Sequence, residues 1–227
     1  GWSLGVLTRE LTQLYTAFAQ GQPSPLPPLP VQYADFAKWQ RDWLQGDLLE
    51  AEISYWRQQL ADLPPLELPT DRPRPAVQTF HGALYVQPLP AELCQALQQL
   101  NQSRGVTLYM TLLAAFQVLL GRYSGQDDVA VGSPLANRNR REIEDLIGFF
   151  VNSLVLRSDL SDDPGFDELL SRVRKTTLEA YAHQDLPFEK IVEALKLKRD
   201  LGGNPLVQAL LVLQNVEKRF GGLRAIA

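Results

Sequence analysis

The sequence predicts an α/β fold, and three features of its 227 residues carry this prediction. In the first 63 residues, apolar side chains recur at three- and four-residue steps, which is typical of amphipathic helices. In the second half, short apolar segments with strand character alternate with further helical segments. Two proline-rich passages, residues 22–30 and 64–75, interrupt these patterns and cannot be helical. Helices followed by alternating strands and helices indicate an α/β lobe preceded by helices.

The first 63 residues are predicted to form helices that pack through an apolar stripe. The first stripe runs from Ser3 to a helix end near Gly21 and consists of Leu4, Leu7, Leu11, Leu14 and Phe18. A second helical region covers residues 32–63 and is expected to break at Gly46. Its face carries Tyr33, Phe36 and Trp43. Each stripe predicts a helix that packs against another part of the protein.

The rest of the chain is predicted to alternate between strands and helices. Alternating or nearly continuous apolar content predicts strands at residues 79–87, 129–132, 149–157 and 206–214. Helical spacing predicts helices at residues 92–102, at 108–120 before a turn at Ser124-Gly125, and at 166–181. The strand at 206–214 is expected to be buried on both faces because it is almost wholly apolar. Asp163 and Pro164 are expected to cap and begin the helix at 166–181.

Composition excludes several classes of function. The 22 Lys and Arg residues and 26 Asp and Glu residues give a net charge of −4, so nucleic acid is not expected as a partner. A single cysteine, Cys94, cannot form an internal disulfide, and no charged-then-apolar leader opens the chain, so we expect a cytoplasmic location. Cys94 itself is expected to be a buried core residue. No apolar run has the length of a membrane span, so no membrane partner is expected.

Searches for generic sites give little. The only histidines, His81 and His183, are too few for a metal site of the usual His and Cys spacing, so no metal is predicted. No Gly-rich phosphate cradle joins a strand to a helix, so nucleotide binding is not predicted either. Arg138, Arg140 and Arg141 form either a solvated loop or a phosphate-binding edge, and the solvated loop is favoured.

Two polar groups allow more than one interpretation. His183 and Asp185 could act as an acid/base pair, but Asp185 followed by Pro187 suits the cap and first turn of a helix, which favours a structural role. Asn152 and Ser153 lie within an apolar strand and must be hydrogen-bonded. Their partners are either the protein's own scaffold or something that enters a channel, and both interpretations remain open.

Four segments together carry a family resemblance. Residues 33–39 read Tyr-Ala-Asp-Phe-Ala-Lys-Trp, residues 147–153 read Ile-Gly-Phe-Phe-Val-Asn-Ser, and residues 183–189 read His-Gln-Asp-Leu-Pro-Phe-Glu. Arg199-Asp200 with Asn204-Pro205-Leu206 forms the fourth. In this order they resemble the motifs of the condensation domains of nonribosomal peptide synthetases. The matched positions that we interpret as a structural motif are Tyr33, Asp35, Trp39, His183, Gln184, Asp185, Arg199 and Asn204.

The resemblance implies a fold and an activity. The family has a two-lobed fold of the chloramphenicol-acetyltransferase type, so residues 1–63 would be the helical end of the N-terminal lobe. Residues 64–78 would cross between lobes, and residues 79–227 would form an incomplete C-terminal lobe. The family forms an amide between a donor thioester and an acceptor amine, both held by phosphopantetheine arms of peptidyl carrier proteins upstream and downstream. A neighbouring adenylation domain is a further implied partner, and no cofactor is bound directly.

The resemblance also says where catalysis would lie. The family's catalytic signature is His-His-x-x-x-Asp-Gly, often continued by Trp-Ser, and Gly1, Trp2 and Ser3 are similar to its end. The catalytic histidines and aspartate are therefore expected immediately upstream of Gly1, none within this chain, and the isolated chain is expected to be inactive. The family accepts Asn at the position of His183, which disfavours proton transfer there. Asn152 and Ser153 become candidate tunnel-facing residues.

Two alternatives remain. The chain could belong to a degenerate family member that only docks carrier proteins or tailoring enzymes and has no catalytic histidines. It could also belong to a stand-alone acyltransferase of the same fold that uses a soluble thioester. The residues before Gly1 in the source gene and the domains that flank it distinguish these hypotheses.

Overall fold

The structure, a computed structural model, describes residues 1–73, 77, 79, 81–196, 204 and 206–214. The α-helices are α1 (Trp2–Ala19), α2 (Tyr33–Trp43), α3 (Gly46–Gln59), α4 (Ala91–Arg104), α5 (Leu108–Ser124), α6 (Phe166–Ala182) and α7 (Phe188–Ala194). A 3-10 turn, Arg141–Ile143, lies between strands β1 (Asp128–Leu135) and β2 (Asn152–Asp159). The two strands form one sheet. The mixture of helices and sheet agrees with the predicted α/β class.

The chain divides into two units. The first contains Gly1–Glu50, Leu135–Asn152 and the described residues from Leu213 onward, and the second contains Ala51–Pro134 and Ser153–Val212. Each unit is therefore discontinuous in sequence. The lobe boundaries inferred above, at residues 1–63, 64–78 and 79–227, stay predictions.

Helix α5 forms the centre of the second unit. The Thr107 hydroxyl accepts a hydrogen bond from the Met110 N–H at 3.2 Å and so caps its start, and the helix ends at Gly125, whose φ is +71°. Its buried residues include Met110, Leu113, Ala114, Gln117 and Leu120, and it packs on α4 and α6. The predicted helix is confirmed, and its buried residues belong to the strongly apolar stripe on which the prediction rested. No single described helix is long and apolar enough to span a membrane, although α4 and α5, bent by 104°, pass that test as a pair.

A buried amide joins α5 to the sheet. Gln117 is fully buried, and its Nε2 donates to the Leu156 carbonyl of β2 at 2.9 Å. Its Oε1 accepts from the Ser158 hydroxyl at 2.8 Å. Both ends of the amide are thereby paired, as a buried polar group requires. The amide fixes the position of the helix along the strand.

Gly132 allows a third segment to approach β1. The Gly132 N–H donates to the Ala209 carbonyl at 2.9 Å, and the Leu211 N–H donates to the Gly132 carbonyl at 2.9 Å, which gives a parallel bridge to Leu210. A Cβ on Gly132 would lie 2.4 Å from Leu210 Cδ2 and 2.9 Å from Val207 Cγ2. A side chain at residue 132 would therefore require Leu210 and Val207 to shift.

Two strand predictions are wrong among the described residues. Thr79 and residues 81–87 have no strand structure, and Leu84 and Val86 are exposed. Alternation identifies one apolar face, but a strand also needs a neighbour that pairs with its backbone. Residues 206–214 make only the bridge at Leu210, and Leu210 and Val212 are exposed, so this segment is not buried on both faces. The strand predicted at 149–157 begins three residues later, at Asn152.

Predictions about helix faces and one helix cap also need correction. Cys94 is exposed, and the buried residue of α4 is Asn101. The apolar stripe of α1 is largely exposed within this chain, including Leu4 and Leu11, whereas Gly5 and Val6 are buried, so what the stripe packs against stays a prediction. Helical spacing marks an apolar face but does not say whether another element covers it. The cap of α6 is Gly165 rather than Asp163, whose carboxylate instead pairs with Arg122 at 3.2 Å.

Arg157 ties β2 to β1 and to the end of α3. Its Nε and Nη2 donate to the two carboxylate oxygens of Asp128 at 2.8 and 2.6 Å. Its Nη1 donates to the carbonyls of Gln59 at 3.0 Å and Ala61 at 2.8 Å. Bonding to the Asp128 carboxylate raises the pKa of Arg157, an effect that partial burial opposes. A planar guanidinium can make all these bonds at once, which an ammonium cannot.

We expect Arg157→Lys to lower the free energy of unfolding by about 2 kcal/mol, because the bidentate pair and the carbonyl bonds cannot all be kept. Urea unfolding followed by circular dichroism measures this. Lys38→Met is the control, since Lys38 forms a single exposed pair with Asp42 and its loss should change stability by less than about 0.5 kcal/mol. Equal effects of the two substitutions would contradict this role of Arg157.

Candidate functional site

Trp2 and Ser3, in the first turn of α1, are fastened to the segment that precedes β2. The Trp2 indole Nε1 donates to the Glu144 carbonyl at 2.7 Å. The Ser3 hydroxyl donates to the Gly148 carbonyl at 2.8 Å and accepts from the Gly148 N–H at 3.2 Å. Gly1 is the N-cap of the helix. The residues predicted to be the end of the catalytic signature are therefore held in place by contacts with residues 144–148.

Arg138 bonds to the same two parts of the chain, the first turn of α1 and the segment before β2. Its Nη2 donates to the Ser3 hydroxyl at 2.9 Å, and its Nη1 donates to the Leu146 carbonyl at 2.8 Å and to the Ile143 carbonyl. The guanidinium carbon lies 4.1 Å from the Phe150 ring centroid, a cation–π contact. Partial burial lowers the pKa of Arg138, and the charge of Asp145 opposes this shift.

The solvated-loop interpretation is therefore wrong for Arg138, although Arg140 and Arg141 are exposed. The three arginines are close together in sequence, and nothing in that run marks one of them as different. The difference arises because the Arg138 side chain meets carbonyls that turn inward around residues 143–146. Those carbonyls need a donor once water is excluded.

Aromatic side chains from residues 33–39 contact the segment that connects β1 to β2. The Tyr33 hydroxyl donates to the Phe149 carbonyl at 2.8 Å, and its ring stands edge-on to Phe150 with centroids 5.1 Å apart. The Asp35 carboxylate accepts from the Gln32 N–H at 2.8 Å and closes the start of α2. Trp39 stacks on Trp43 at 5.3 Å and lies 4.3 Å from the guanidinium carbon of Arg140. The structural role assigned to Tyr33, Asp35 and Trp39 stays a prediction that these contacts support.

Gly148 lies against the Tyr33 ring and is hydrogen-bonded to Ser3. A Cβ on Gly148 would lie 2.3 Å from Tyr33 Cδ2 and 3.0 Å from Phe150 Cε2. Any side chain here would displace the Tyr33 ring. Gly148 could not be identified from the sequence, since a glycine required by close approach has no local pattern.

Asn152 and Ser153 lie at the start of β2. Asn152 is buried and Ser153 is half-buried. Successive strand residues point to opposite faces, so the two side chains do not face the same space. The division into units also falls between them. Their assignment as tunnel-facing residues stays a prediction. Because the two side chains point to opposite faces of the strand, a tunnel on one face would be lined by only one of them.

A second cluster surrounds His183, where α6 ends. His183 Nδ1 lies 3.1 Å from Glu52 Oε1, and the imidazole stacks on the Tyr55 ring with centroids 3.7 Å apart. The Trp56 Nε1 donates to the His183 carbonyl at 3.0 Å. Glu52 is buried, and its Oε2 has no hydrogen-bond partner among the described residues. Because 131 residues separate Glu52 from His183, no local pattern indicates this pair.

The cap predicted at Asp185 is wrong. The N-cap of α7 is Pro187, with no side-chain cap bond. His183 and Gln184 instead belong to the end of α6, where Gln184 Nε2 donates to the Tyr181 carbonyl at 2.8 Å. Asn204 Oδ1 accepts from the N–H groups of Leu206 at 2.9 Å and Val207 at 3.2 Å, which forms a side-chain turn. Arg199 lies outside the described residues.

Neither cluster resembles a metal site. Within the described part of the chain, no group of three or more His, Cys, Asp or Glu residues could hold a metal ion. Ser3 is already engaged in three hydrogen bonds. His183 is held between a carboxylate and an aromatic ring. The contacts of the first cluster therefore fix the position of Trp2 and Ser3 at the start of α1.

Comparison with known proteins identifies related chains. The family model described as "Condensation domain" matches residues 1–222. The chain is 54% identical over 230 residues to one of the linear gramicidin synthase proteins of Brevibacillus parabrevis, a match that covers 100% of this chain and 3% of that protein. It is similar to the X-domain in the complex of the X-domain and OxyB from teicoplanin biosynthesis, with 33% identity and a TM-score of 0.87 over 92% of this chain and 47% of that one.

It is also similar to AB3403, a four-domain nonribosomal peptide synthetase bound to AMP and glycine, with 26% identity and a TM-score of 0.81 over 95% of this chain and 16% of that one. These likenesses confirm the predicted fold class, an α/β fold of the chloramphenicol-acetyltransferase type. The chain spans 3% of the gramicidin synthase protein and about half of the X-domain.

We expect Gly148→Ala to lower the free energy of unfolding by about 1–3 kcal/mol, because the new methyl group collides with the Tyr33 ring. Urea unfolding measures the change. Gly82→Ala is the matched control, because a Cβ there meets nothing within 4 Å. A Gly148→Ala chain as stable as the Gly82→Ala chain would show that Tyr33 does not need this close approach.

We expect stability to fall at alkaline pH partly through Tyr55. Burial, with the charges of Glu179 and Glu52, raises the pKa of Tyr55 from 10.0 to about 12. Because its phenol ionises more easily in the unfolded chain, stability is unaffected below the unfolded pKa and is lost as the pH rises toward the folded one. Tyr55→Phe should therefore lose less stability than the parent chain between about pH 9 and about pH 11 in urea unfolding. Tyr15→Phe, at an exposed site in α1, should follow the parent chain.

Proposed function

Since the chain belongs to the condensation domain family, we propose that it is part of a domain that forms an amide between two carrier-bound substrates in nonribosomal peptide synthesis. The observation that carries this proposal is the fastening of Trp2 and Ser3 to the segment before β2, with Arg138 bonded to both parts. A signature whose last residues are held in this way is suited to present the groups that precede it in one fixed position.

The proposed reaction joins an amine to a thioester. The acceptor amine attacks the donor carbonyl carbon, a C–N bond forms, the C–S bond breaks, and the proton lost by the amine ends on the released thiol. An α-amino group has a pKa of about 8, so most of it is protonated near neutral pH. It must lose a proton before it can attack. We propose that the histidines and aspartate that serve this step precede Gly1. The chain by itself is then inactive.

Within this proposal, residues of this chain position the reacting groups, and none of them acts as the general base. His183 has its Nδ1 at Glu52 and its ring against Tyr55, which supports a structural role. Asn152 is the better of the two tunnel-facing candidates, because a buried neutral amide can both donate and accept near a substrate carbonyl. Ser153, on the opposite face of the strand, is assigned to the scaffold.

The proposed partners are the upstream and downstream peptidyl carrier proteins and a neighbouring adenylation domain. The likeness to AB3403, a four-domain synthetase, supports this context. The phosphopantetheine arms belong to the carrier proteins and arrive with the substrates. A cytoplasmic location stays a prediction.

A second candidate is a docking module without catalysis. The likeness to the X-domain, whose structure was determined in complex with OxyB, favours this alternative for a protein of the same fold. The residues before Gly1 in the parent gene separate the two. A parent without the His-His-x-x-x-Asp pattern would favour docking.

The test uses the full parent domain with both carrier proteins loaded. We expect a dipeptidyl thioester on the downstream carrier, detected by mass spectrometry, and none with the 227-residue chain alone. Replacing the second histidine of the upstream pattern by alanine in the parent is the control for catalysis. If the intact parent forms no dipeptide, the proposal fails, and carrier or tailoring-enzyme binding is then measured by calorimetry.

A further inference from the structure

We propose that Ser3 is a positioning residue for the amide-forming reaction, because its hydroxyl sets the distance between the catalytic signature and the start of β2. This inference rests on the proposed function. It assigns to Ser3 a role that neither the family match nor the resemblance of Gly1, Trp2 and Ser3 to a signature end contains.

The Ser3 hydroxyl uses its full hydrogen-bonding capacity. A hydroxyl has one donor and two acceptor positions. Here it donates to the Gly148 carbonyl, and it accepts from the Gly148 N–H and from Arg138 Nη2. The two partners are 145 and 135 residues away in sequence. A hydroxyl that is satisfied only by such distant groups is placed by the tertiary structure and not by its own helix.

Among these contacts of α1, the one made by Ser3 lies nearest in sequence to β2. Trp2 bonds to Glu144, and Arg9 pairs with Asp145 on the surface. These two contacts hold α1 to residues 144 and 145 of the segment before β2. The Ser3 hydroxyl alone of the three bonds to Gly148, four residues before Asn152. It therefore relates the start of α1 to the strand that carries the proposed tunnel residue.

A small displacement of Ser3 is transmitted to the signature. Consecutive Cα atoms are about 3.8 Å apart, so the residue that precedes Gly1 lies within about 12 Å of the Ser3 Cα. Ser3 lies in the first turn of a helix, which moves as a rigid element. Misplacement of a catalytic group by about 1 Å can reduce a rate by about 100-fold. Loss of the hydroxyl should therefore affect turnover more than substrate binding.

The contacts define three variants. Ser3→Ala removes all three hydrogen bonds, whereas Ser3→Thr keeps a hydroxyl on the same carbon. Thr12→Ala is the matched control, because the Thr12 hydroxyl bonds at 2.8 Å to the Thr8 carbonyl of its own helix. All three are made in the full parent domain and assayed with both loaded carrier proteins. Far-UV circular dichroism and thermal unfolding give the folded fraction of each variant.

We expect Ser3→Ala to lower kcat by about 10- to 100-fold, with KM for the acceptor carrier changed by less than about 3-fold. Ser3→Thr should restore kcat to within about 5-fold of the parent, and Thr12→Ala should leave both parameters unchanged. A structural role alone predicts a fall in the folded fraction that accounts for the lost activity.

Three results would overturn the inference: an unchanged kcat in Ser3→Ala, a loss explained by its folded fraction, or no rescue by Ser3→Thr in a folded domain. These results leave the proposed function intact as long as the unmodified parent forms dipeptide. A parent that forms none overturns the proposed function, and the role of Ser3 in that reaction with it.

Discussion

Polar groups that leave water must find partners, and in this chain several of those partners come from residues far away in sequence. In the first unit these groups include the carbonyls of Ile143, Glu144 and Leu146, which accept from the Arg138 guanidinium. Arg138 bonds to them and to Ser3, while Phe150 lies against its face. Ile143, Leu146 and Phe150 form the small core beneath, with Val31 and Phe36 against it. The position of α1 follows from this arrangement, because Trp2 and Ser3 bond to the same loop.

The second unit satisfies the same requirement with different residues. The Gln117 amide joins α5 to β2, Arg157 joins the sheet to the end of α3, and Trp56 bonds to the carbonyl at the end of α6. Each bond is short in space and long in sequence. Buried polar groups of this kind favour one arrangement of the elements over others, since any slip leaves a donor or an acceptor unpaired. Of the described motif residues, Tyr33 packs against Phe150, and the His183 carbonyl accepts from Trp56.

Comparison of sequence and structure separates two kinds of prediction. The helices were predicted well, since a stripe such as that of α5 is a local property of spacing and apolar content. Strands were predicted less well, because residues 81–87 alternate in sequence but pair with no described segment. The cap predicted at Asp185 was wrong although its residues suit a helix start, because α7 begins at Phe188 with Pro187 as its N-cap and residues 183–185 form a turn. Local chemistry allows a cap, and tertiary contacts decide whether it is used.

The sequence by itself determined the family, the α/β class and most helices, because motifs, composition and periodicity are all read within a few residues. The assignment of Gly1, Trp2 and Ser3 to the end of a catalytic signature also came from the sequence, and it stays a prediction. Only the tertiary structure distinguished Arg138 from Arg140 and paired Glu52 with His183. The physical reason is that these roles depend on which carbonyl or carboxylate lies within hydrogen-bond distance, and chain folding alone brings those groups together.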